Sequence, residues 1–328
     1  AAKSFILVYL VLSLIHFLLL VLCGVDLIGA LCLMFTTIST GGLTTINSNM
    51  VGYSDAVQWI TILFMFLGGT NFYLHYKAIY LREKHTYRKN SEFRMMVAWF
   101  LALSVIIFVL KIASQVKNGD SIGAVDVYES YKNVLFTTVS LGTTTGFYTD
   151  DFTAWPSQCL ILLMVTAFVG ASSSSTSGGI KFGRLRIIFE YIKNGFRGTM
   201  HANAVYSVKI DGKSVDDSVV QSSLVVFLMY LSTMIVGAVL IMLYGYDVVD
   251  SFGLSISVIT NGGMGFGNFG PTGNFVDLDS TLKVLLTVLM WIGRMEVVTA
   301  LMIFTPGFWK DVWLNSRANR MSRKERSA

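Results

Sequence analysis

Three short stretches of the chain combine glycine with hydroxyl side chains at matching places. They are FTTISTGGLTTI (Phe35–Ile46), FTTVSLGTTTGFYT (Phe136–Thr149) and ISVITNGGMGFGN (Ile256–Asn268). Glycine adopts left-handed backbone without a Cβ clash, so such a run can turn its carbonyl oxygens to one side. A ring of backbone carbonyls can replace the hydration shell of an alkali cation. Threonine and serine add hydroxyl oxygens. The stretches carry little carboxylate, which argues against a tight divalent site, because calcium draws on Asp and Glu. The chemistry they offer is multi-oxygen coordination of a monovalent cation.

The elements that must position these stretches are apolar. Of 328 residues 53% are hydrophobic and only 14% charged, with a mean hydropathy of +0.61. About a quarter charged is usual for a soluble domain, so the composition describes an integral membrane protein. Crossing a bilayer takes about 20 helical residues. Six apolar runs are candidate spans: Phe5–Val21, Val57–Leu74, Met95–Leu110, Leu160–Val169, Val219–Leu243 and Leu282–Phe304. Between them the sequence predicts half-length helices over Leu27–Ser39, Tyr128–Leu141 and Val248–Thr260, each leading into one glycine stretch. The unit is span, half-helix, loop, span. Its spacing, Gly42 to Gly146 to Gly263, is far longer than the 20–50 residues of a solenoid and fits parallel membrane repeats. Irregular backbone at membrane depth is tolerated only inside protein or along a water-filled path, so three such loops imply a shared central cavity. Half-helices entering from outside would aim their partially negative C-terminal ends at that cavity, which favours a cation.

Charge gives the orientation. Basic residues cluster in three segments, Lys77–Arg94, Lys181–Lys213 and the tail from Lys310 to Arg326, which are expected in the cytoplasm. The acids Asp26, Asp55, Asp120, Asp126, Glu129, Asp150, Asp151, Asp247, Asp250, Asp277 and Asp279 fall between them and are expected outside. Some of these form a cation-attracting vestibule, and others are simply solvated. The basic balance reads as topology and contact with membrane lipid, not nucleic acid. Cys23, Cys32 and Cys159 have no metal or disulfide spacing and read as small buried hydrophobes.

The loops STGGLTT, GTTTGFYT and NGGMGFG resemble the filter loops of the Trk/Ktr/HKT superfamily of potassium transporters. GASSSSTSGGIKFGRLR (Gly170–Arg186) and WIGRMEVVTAL (Trp291–Leu301) match the same family, most closely its Trk-type membrane subunits, and the resemblance covers nearly the whole chain. It implies an all-α integral membrane fold of pseudo-symmetric span, pore helix, filter loop and span repeats, as in potassium channels. Three of the family's four repeats are found, at 1–90, 91–214 and 215–328, so the chain is expected to be N-terminally incomplete. The resemblance implies potassium as substrate and no organic cofactor or enzymatic activity. It places the filter at Thr40, Gly41, Gly42, Thr144, Thr145, Gly146, Asn261, Gly262 and Gly263. The third loop departs most, with Asn and Met for Thr and Phe. It also implies a homodimer in the bacterial cytoplasmic membrane and a cytoplasmic nucleotide-binding regulatory ring.

Six hydroxyl residues and two glycines in 171–179 make a poor helix in lipid, so they must line a cavity or kink a helix. By resemblance, 171–181 is an intramembrane gating loop including Gly178, Gly179 and Lys181. Arg294 is an ionisable residue inside an apolar run, a functional candidate on that ground. By resemblance it faces the pore as a barrier to cations. Arg294 and Glu296 point in different directions on a helix. Other readings are weaker. GFGNFG (Gly265–Gly270) fits a dinucleotide fingerprint, but Pro271 follows where a helix should start. An intramembrane serine hydrolase would need a Ser–His constellation within hydrogen-bond reach, and none is evident around His16, His75, His85 and His201. A non-conducting scaffold leaves the three glycine loops unexplained.

Overall fold

The structure is a computed structural model that describes residues 2–119, 123–200, 207–276, 278–295, 297–303, 305–310 and 313. Asp120, His201, Asp277, Glu296 and the tail basics from Arg317 onward lie outside them.

The described residues are mostly helical. Helix α1 (Ala2–Leu22) is apolar on every face, so no polar stripe fixes its rotation. Helix α2 (Leu27–Ile38) begins where the Asp26 carboxylate accepts from the Gly29 N–H at 2.9 Å, a side-chain N-cap. Then follow α3 (Asp55–Gly68), α4 (Phe72–Ile79), α5 (Thr86–Lys89), α6 (Ser91–Asn118), α7 (Ala124–Gly142), α8 (Ser157–Val169) and α9 (Phe182–Met200). A two-stranded hairpin, β1 (Lys209–Ile210) with β2 (Lys213–Ser214), interrupts the helical pattern. Helices α10 (Asp217–Met242), α11 (Val248–Thr260), α12 (Ser280–Arg294) and α13 (Val297–Met302) complete it.

The order of a long helix, a short helix, a glycine loop and a second apolar helix occurs at α1–α3, α6–α8 and α10–α12. Contacts follow the same order. The long helices pack on the short ones that follow them, α1 on α2, α6 on α7 and α10 on α11. Across successive units, α3 packs on α7 and α8 on α11.

Several expected spans are not continuous helices. The Val57–Leu74 run breaks after Gly68, and α4 leaves at 99° to α3. The Leu282–Phe304 run breaks after Arg294. Among the described residues three helices, α1, α6 and α10, are long and apolar enough to cross a membrane alone, or four spans if α3 and α4 count as one. The breaks have a local cause. A Cβ on Gly68 would stand 3.1 Å from the Ile38 carbonyl oxygen, and one on Gly293 would overlap the Ile259 carbonyl. In the first and third units the second helix therefore ends against the C-terminal turn of a short helix, which apolar composition alone does not report. Helix α7 also starts four residues earlier than expected, at Ala124.

Two further expectations change. Of the cysteines only Cys159 is buried, while Cys23 is exposed. The acids are not all solvated: Asp250 is buried within α11 and accepts from the backbone N–H and side-chain amide of Asn268. Asp55 and Asp150 pair with the buried lysines Lys132 and Lys111, and the Lys111 ammonium also lies 4.4 Å from the Trp155 ring centre.

Candidate cation site

The three glycine loops share one backbone conformation. Thr40, Thr144 and Asn261 are left-handed, with φ of 54°, 55° and 57°. Two residues later Gly42, Gly146 and Gly263 are left-handed again, with φ of 64°, 93° and 79°. For a β-branched threonine this conformation is an outlier, costing of order 1–3 kcal/mol. It persists because each loop is bonded back to its own short helix. The N–H groups of Gly41, Thr145 and Gly262 donate to the carbonyls of Thr36, Ser140 and Ser257, at 2.7, 2.8 and 2.9 Å. Hydroxyls clasp the far side of two loops: Thr36 Oγ1 donates to the Leu43 carbonyl (2.8 Å) and Ser140 Oγ to the Phe147 carbonyl (2.6 Å).

The loops stand side by side in chain order. A Cβ on Gly42 would overlap the Thr145 carbonyl oxygen, and one on Gly146 would stand 2.5 Å from the Gly262 carbonyl oxygen. Gly263 breaks the series: among the described residues nothing lies within 4 Å of its Cβ position. Burial agrees. Residues 141–147 of the middle loop are all buried, whereas Gly41, Leu43 and Gly263 are exposed. The three loops thus form an arc open between the third and the first.

The Ser/Gly segment after α8 lies against this arc. Helix α8 ends at Gly170, whose φ of 75° turns the chain back. Gly170 and Gly179 meet at a neck, where the Ile180, Lys181 and Phe182 N–H groups donate to the Phe168, Val169 and Ala171 carbonyls. The segment between them bonds to what the broken helices leave free. Thr176 Oγ1 donates to the carbonyls of Ile38 (2.9 Å) and Gly68 (3.1 Å), and the Ser172 N–H to that of Gly69 (3.0 Å). Thr40 Oγ1 donates to the Thr176 carbonyl (3.1 Å), and Thr144 Oγ1 accepts from the Gly178 N–H (2.8 Å). Glu92, at the start of α6, accepts from the Ser173 N–H.

A cavity of about 330 Å³ opens beside this segment. Its lining includes Gly178, Gly179, Lys181, Asn261 and Arg294, so every expected gating residue shares one cavity with the third loop. Arg294 ends α12 and is exposed to the cavity; it directly follows Gly293, as Gly69 and Ala171 follow the matching glycines Gly68 and Gly170 in the first two units. Thr176, one of the six hydroxyl residues of the expected gating loop, links two units. Two residues that sequence reasoning did not single out also belong here: Tyr230 lines the cavity and Glu92 holds the segment's base. Glu92 carries no sequence signal of its own, whereas Tyr230 is a polar tip in the apolar run Val219–Leu243.

Of the histidines, His16 stacks on Phe64 with ring centres 4.4 Å apart, and His75 bonds Tyr87 and the Leu67 carbonyl. Neither is hydrogen-bonded to a serine of the segment. The GFGNFG stretch forms a short 3₁₀ turn at Gly267–Phe269.

Comparison with known proteins agrees with this geometry. A family model described as a cation transport protein, TrkH, matches residues 4–310. The Trk system potassium uptake protein TrkH of Escherichia coli K12 is 30% identical over 312 residues, 94% of this chain and 62% of that protein. TrkH of Halomonas elongata is 32% identical over 295 residues, 88% of this chain and 58% of that protein. The crystal structure of the potassium transporter TrkH from Vibrio parahaemolyticus superposes with a TM-score of 0.85 at 29% identity, covering 94% of this chain and 64% of that one. The chain thus spans about six-tenths of the length of the relatives it matches. With nearly all of its own length covered, the chain belongs to the TrkH family of membrane cation transport proteins.

Proposed function

We propose that this chain forms most of the pore of a potassium-uptake protein of the bacterial cytoplasmic membrane. The observation that carries this reading is the repeated backbone of the three loops, left-handed at Thr40, Thr144 and Asn261 and again at Gly42, Gly146 and Gly263. Alternating the sign of φ turns successive carbonyls alike, and neighbouring loops are close enough to share an ion. Thr40-Gly41-Gly42, Thr144-Thr145-Gly146 and Asn261-Gly262-Gly263 then act as the filter, offering potassium carbonyls in place of water. Helices α2, α7 and α11 act as pore helices within pore repeats at 1–90, 91–214 and 215–328. A fourth loop, outside the present sequence, closes the arc at Gly263.

The segment 171–181 obstructs the path below the filter. The Arg294 guanidinium raises the electrostatic barrier in a cavity where low dielectric strengthens its field. The basic segments face the cytoplasm. There the basic helix α9 offers a surface to a nucleotide-binding regulatory ring, and two copies assemble as a homodimer. The names of the relatives, Trk system potassium uptake proteins, support this setting.

Potassium flux into liposomes containing the full-length protein tests the reading. Arg294→Ala is expected to raise flux over the natural protein. No potassium flux from either, with both correctly folded, would leave a non-conducting scaffold, and peptide cleavage instead of flux would favour a hydrolase.

A further inference from the structure

The segment 171–181 is bonded to the first two filter loops by their own threonines. Thr40 Oγ1 donates to the Thr176 carbonyl, and Thr144 Oγ1 accepts from the Gly178 N–H. The third loop has no threonine at the matching position, and the hydroxyl of Thr260 just before it donates back to the Ile256 carbonyl at 2.8 Å. Asn261 stands there, and its Nδ2 turns toward the Ile259 and Met290 carbonyls, both at 3.4 Å. Tyr230 reaches the same place from α10. Tyr230 is 3% exposed, its hydroxyl donates to the Ile259 carbonyl at 2.7 Å, and it lines one cavity together with Gly178, Gly179 and Asn261. Ile259 and Ile38 hold matching positions, each four residues before the filter glycine. The Ile38 carbonyl is also met by a hydroxyl of this network, that of Thr176.

We infer that Tyr230 is a positioning residue that supplies from α10 the hydroxyl link Asn261 does not make, so that segment 171–181 is tied to all three filter loops. The inference rests on the pore reading above. If displacing the segment opens the path, it must release one hydroxyl-mediated link to each loop. Position of the segment and ion occupancy of the filter are then coupled, and the coupling runs both ways. A buried tyrosine that merely satisfied its own hydroxyl would stabilise the fold without transmitting anything between ion and segment.

The experiment compares the natural full-length protein with Tyr230→Phe in lipid nanodiscs and liposomes. Amide hydrogen exchange is read over residues 174–181 with potassium or with choline, and potassium flux is measured in parallel. In the natural protein, potassium should slow exchange across the segment. In Tyr230→Phe that potassium dependence should shrink, exchange at Gly178 and Gly179 should quicken, and flux should rise roughly two- to tenfold, the effect of losing one hydrogen bond. Thr144→Val should act in the same direction and Thr144→Ser should restore the natural behaviour, a pair that decides the matter if Tyr230→Phe does not fold. Potassium-dependent protection that is unchanged in folded Tyr230→Phe, or that survives Thr144→Val, overturns the inference. Absence of flux in the natural protein overturns the pore reading instead, because exchange still reports whether the links exist.

Discussion

The second and third glycine loops have the same backbone and different surroundings. The second is enclosed. Gly146 faces the Gly262 carbonyl, Ser140 clasps the Phe147 carbonyl, and Phe147 is fully buried behind it. The third is an edge. Gly263 faces open space, Met264 stands where Phe147 stood, and among the described residues Ser257 makes no bond like that of Ser140. Yet Asn261 and Gly263 keep nearly the same φ values as Thr144 and Gly146. The left-handed conformation is thus imposed by the turn that closes α7 and α11, through the Thr145→Ser140 and Gly262→Ser257 backbone bonds. Side chains adjust how firmly each loop is held.

Alanine at the two glycines is the harshest test of that difference. In Gly146→Ala the new Cβ meets the Gly262 carbonyl and the residue is forced to a positive φ, so two loops are disturbed at once. Strain of ~1–3 kcal/mol corresponds to roughly a 5- to 150-fold loss of potassium flux. Gly263→Ala has only the backbone strain in the arc described here. If a fourth loop closes the arc in the full-length protein, Gly263→Ala should lose as much flux as Gly146→Ala. A clearly milder Gly263→Ala would mean that the third loop stays an edge.

A smaller difference separates Ser140 from Ser257. Ser140→Ala leaves the buried Phe147 carbonyl without its donor and should lower stability by ~1–2 kcal/mol, read as a lower thermal midpoint in detergent. Ser257→Ala removes a hydroxyl that clasps nothing across the loop and should be within about 0.5 kcal/mol of neutral. Equal shifts would show that the two loops are held alike.

Much of this arrangement was legible in the sequence, and the rest was hidden for definite reasons. Short helices ending at the glycine loops follow from apolar run length and from Asp26 and Asp247 standing before α2 and α11. The second left-handed position of each loop falls on the glycine that the alignment of the three stretches singles out, Gly42, Gly146 and Gly263, whereas the first falls on Thr40, Thr144 and Asn261. The breaks after Gly68 and Arg294 were not legible, because hydropathy reads the surroundings of a residue and not the continuity of its backbone. Nor were the roles of Thr176, Tyr230 and Glu92. Each is a long-range bond, such as Thr176 to Ile38 or Tyr230 to Ile259, and no local pattern announces a partner that far along the chain. Nor did the charge pattern announce Lys111 and Lys132, whose ammonium groups are engaged by Asp150 and Asp55.

The mildest test concerns how the two loops are joined at their exits. Asp151 follows the second loop and accepts from the Thr153 N–H (3.0 Å), the Thr153 hydroxyl and, beyond the third loop, the Thr272 hydroxyl (3.0 Å). Partial burial pushes its carboxyl up, but the bonds from Thr153 and Thr272 together outweigh burial and hold it below the ordinary carboxylate value. A carboxyl so held stabilises the fold above its ordinary pKa, and that contribution is lost as pH falls through the lowered one. Between pH 5 and 8 it should therefore add no pH dependence. Thr272→Val removes one of the opposing bonds, so the carboxyl moves back up and the acid loss becomes smaller and is complete at a higher pH. Thermal midpoints between pH 3 and 6 should show this shift, with a change at neutral pH smaller than that of Ser140→Ala. An unchanged acid profile would mean that Thr153 alone holds Asp151. The enclosed loop and the edge loop would then be joined only through their backbones at Gly146 and Gly262.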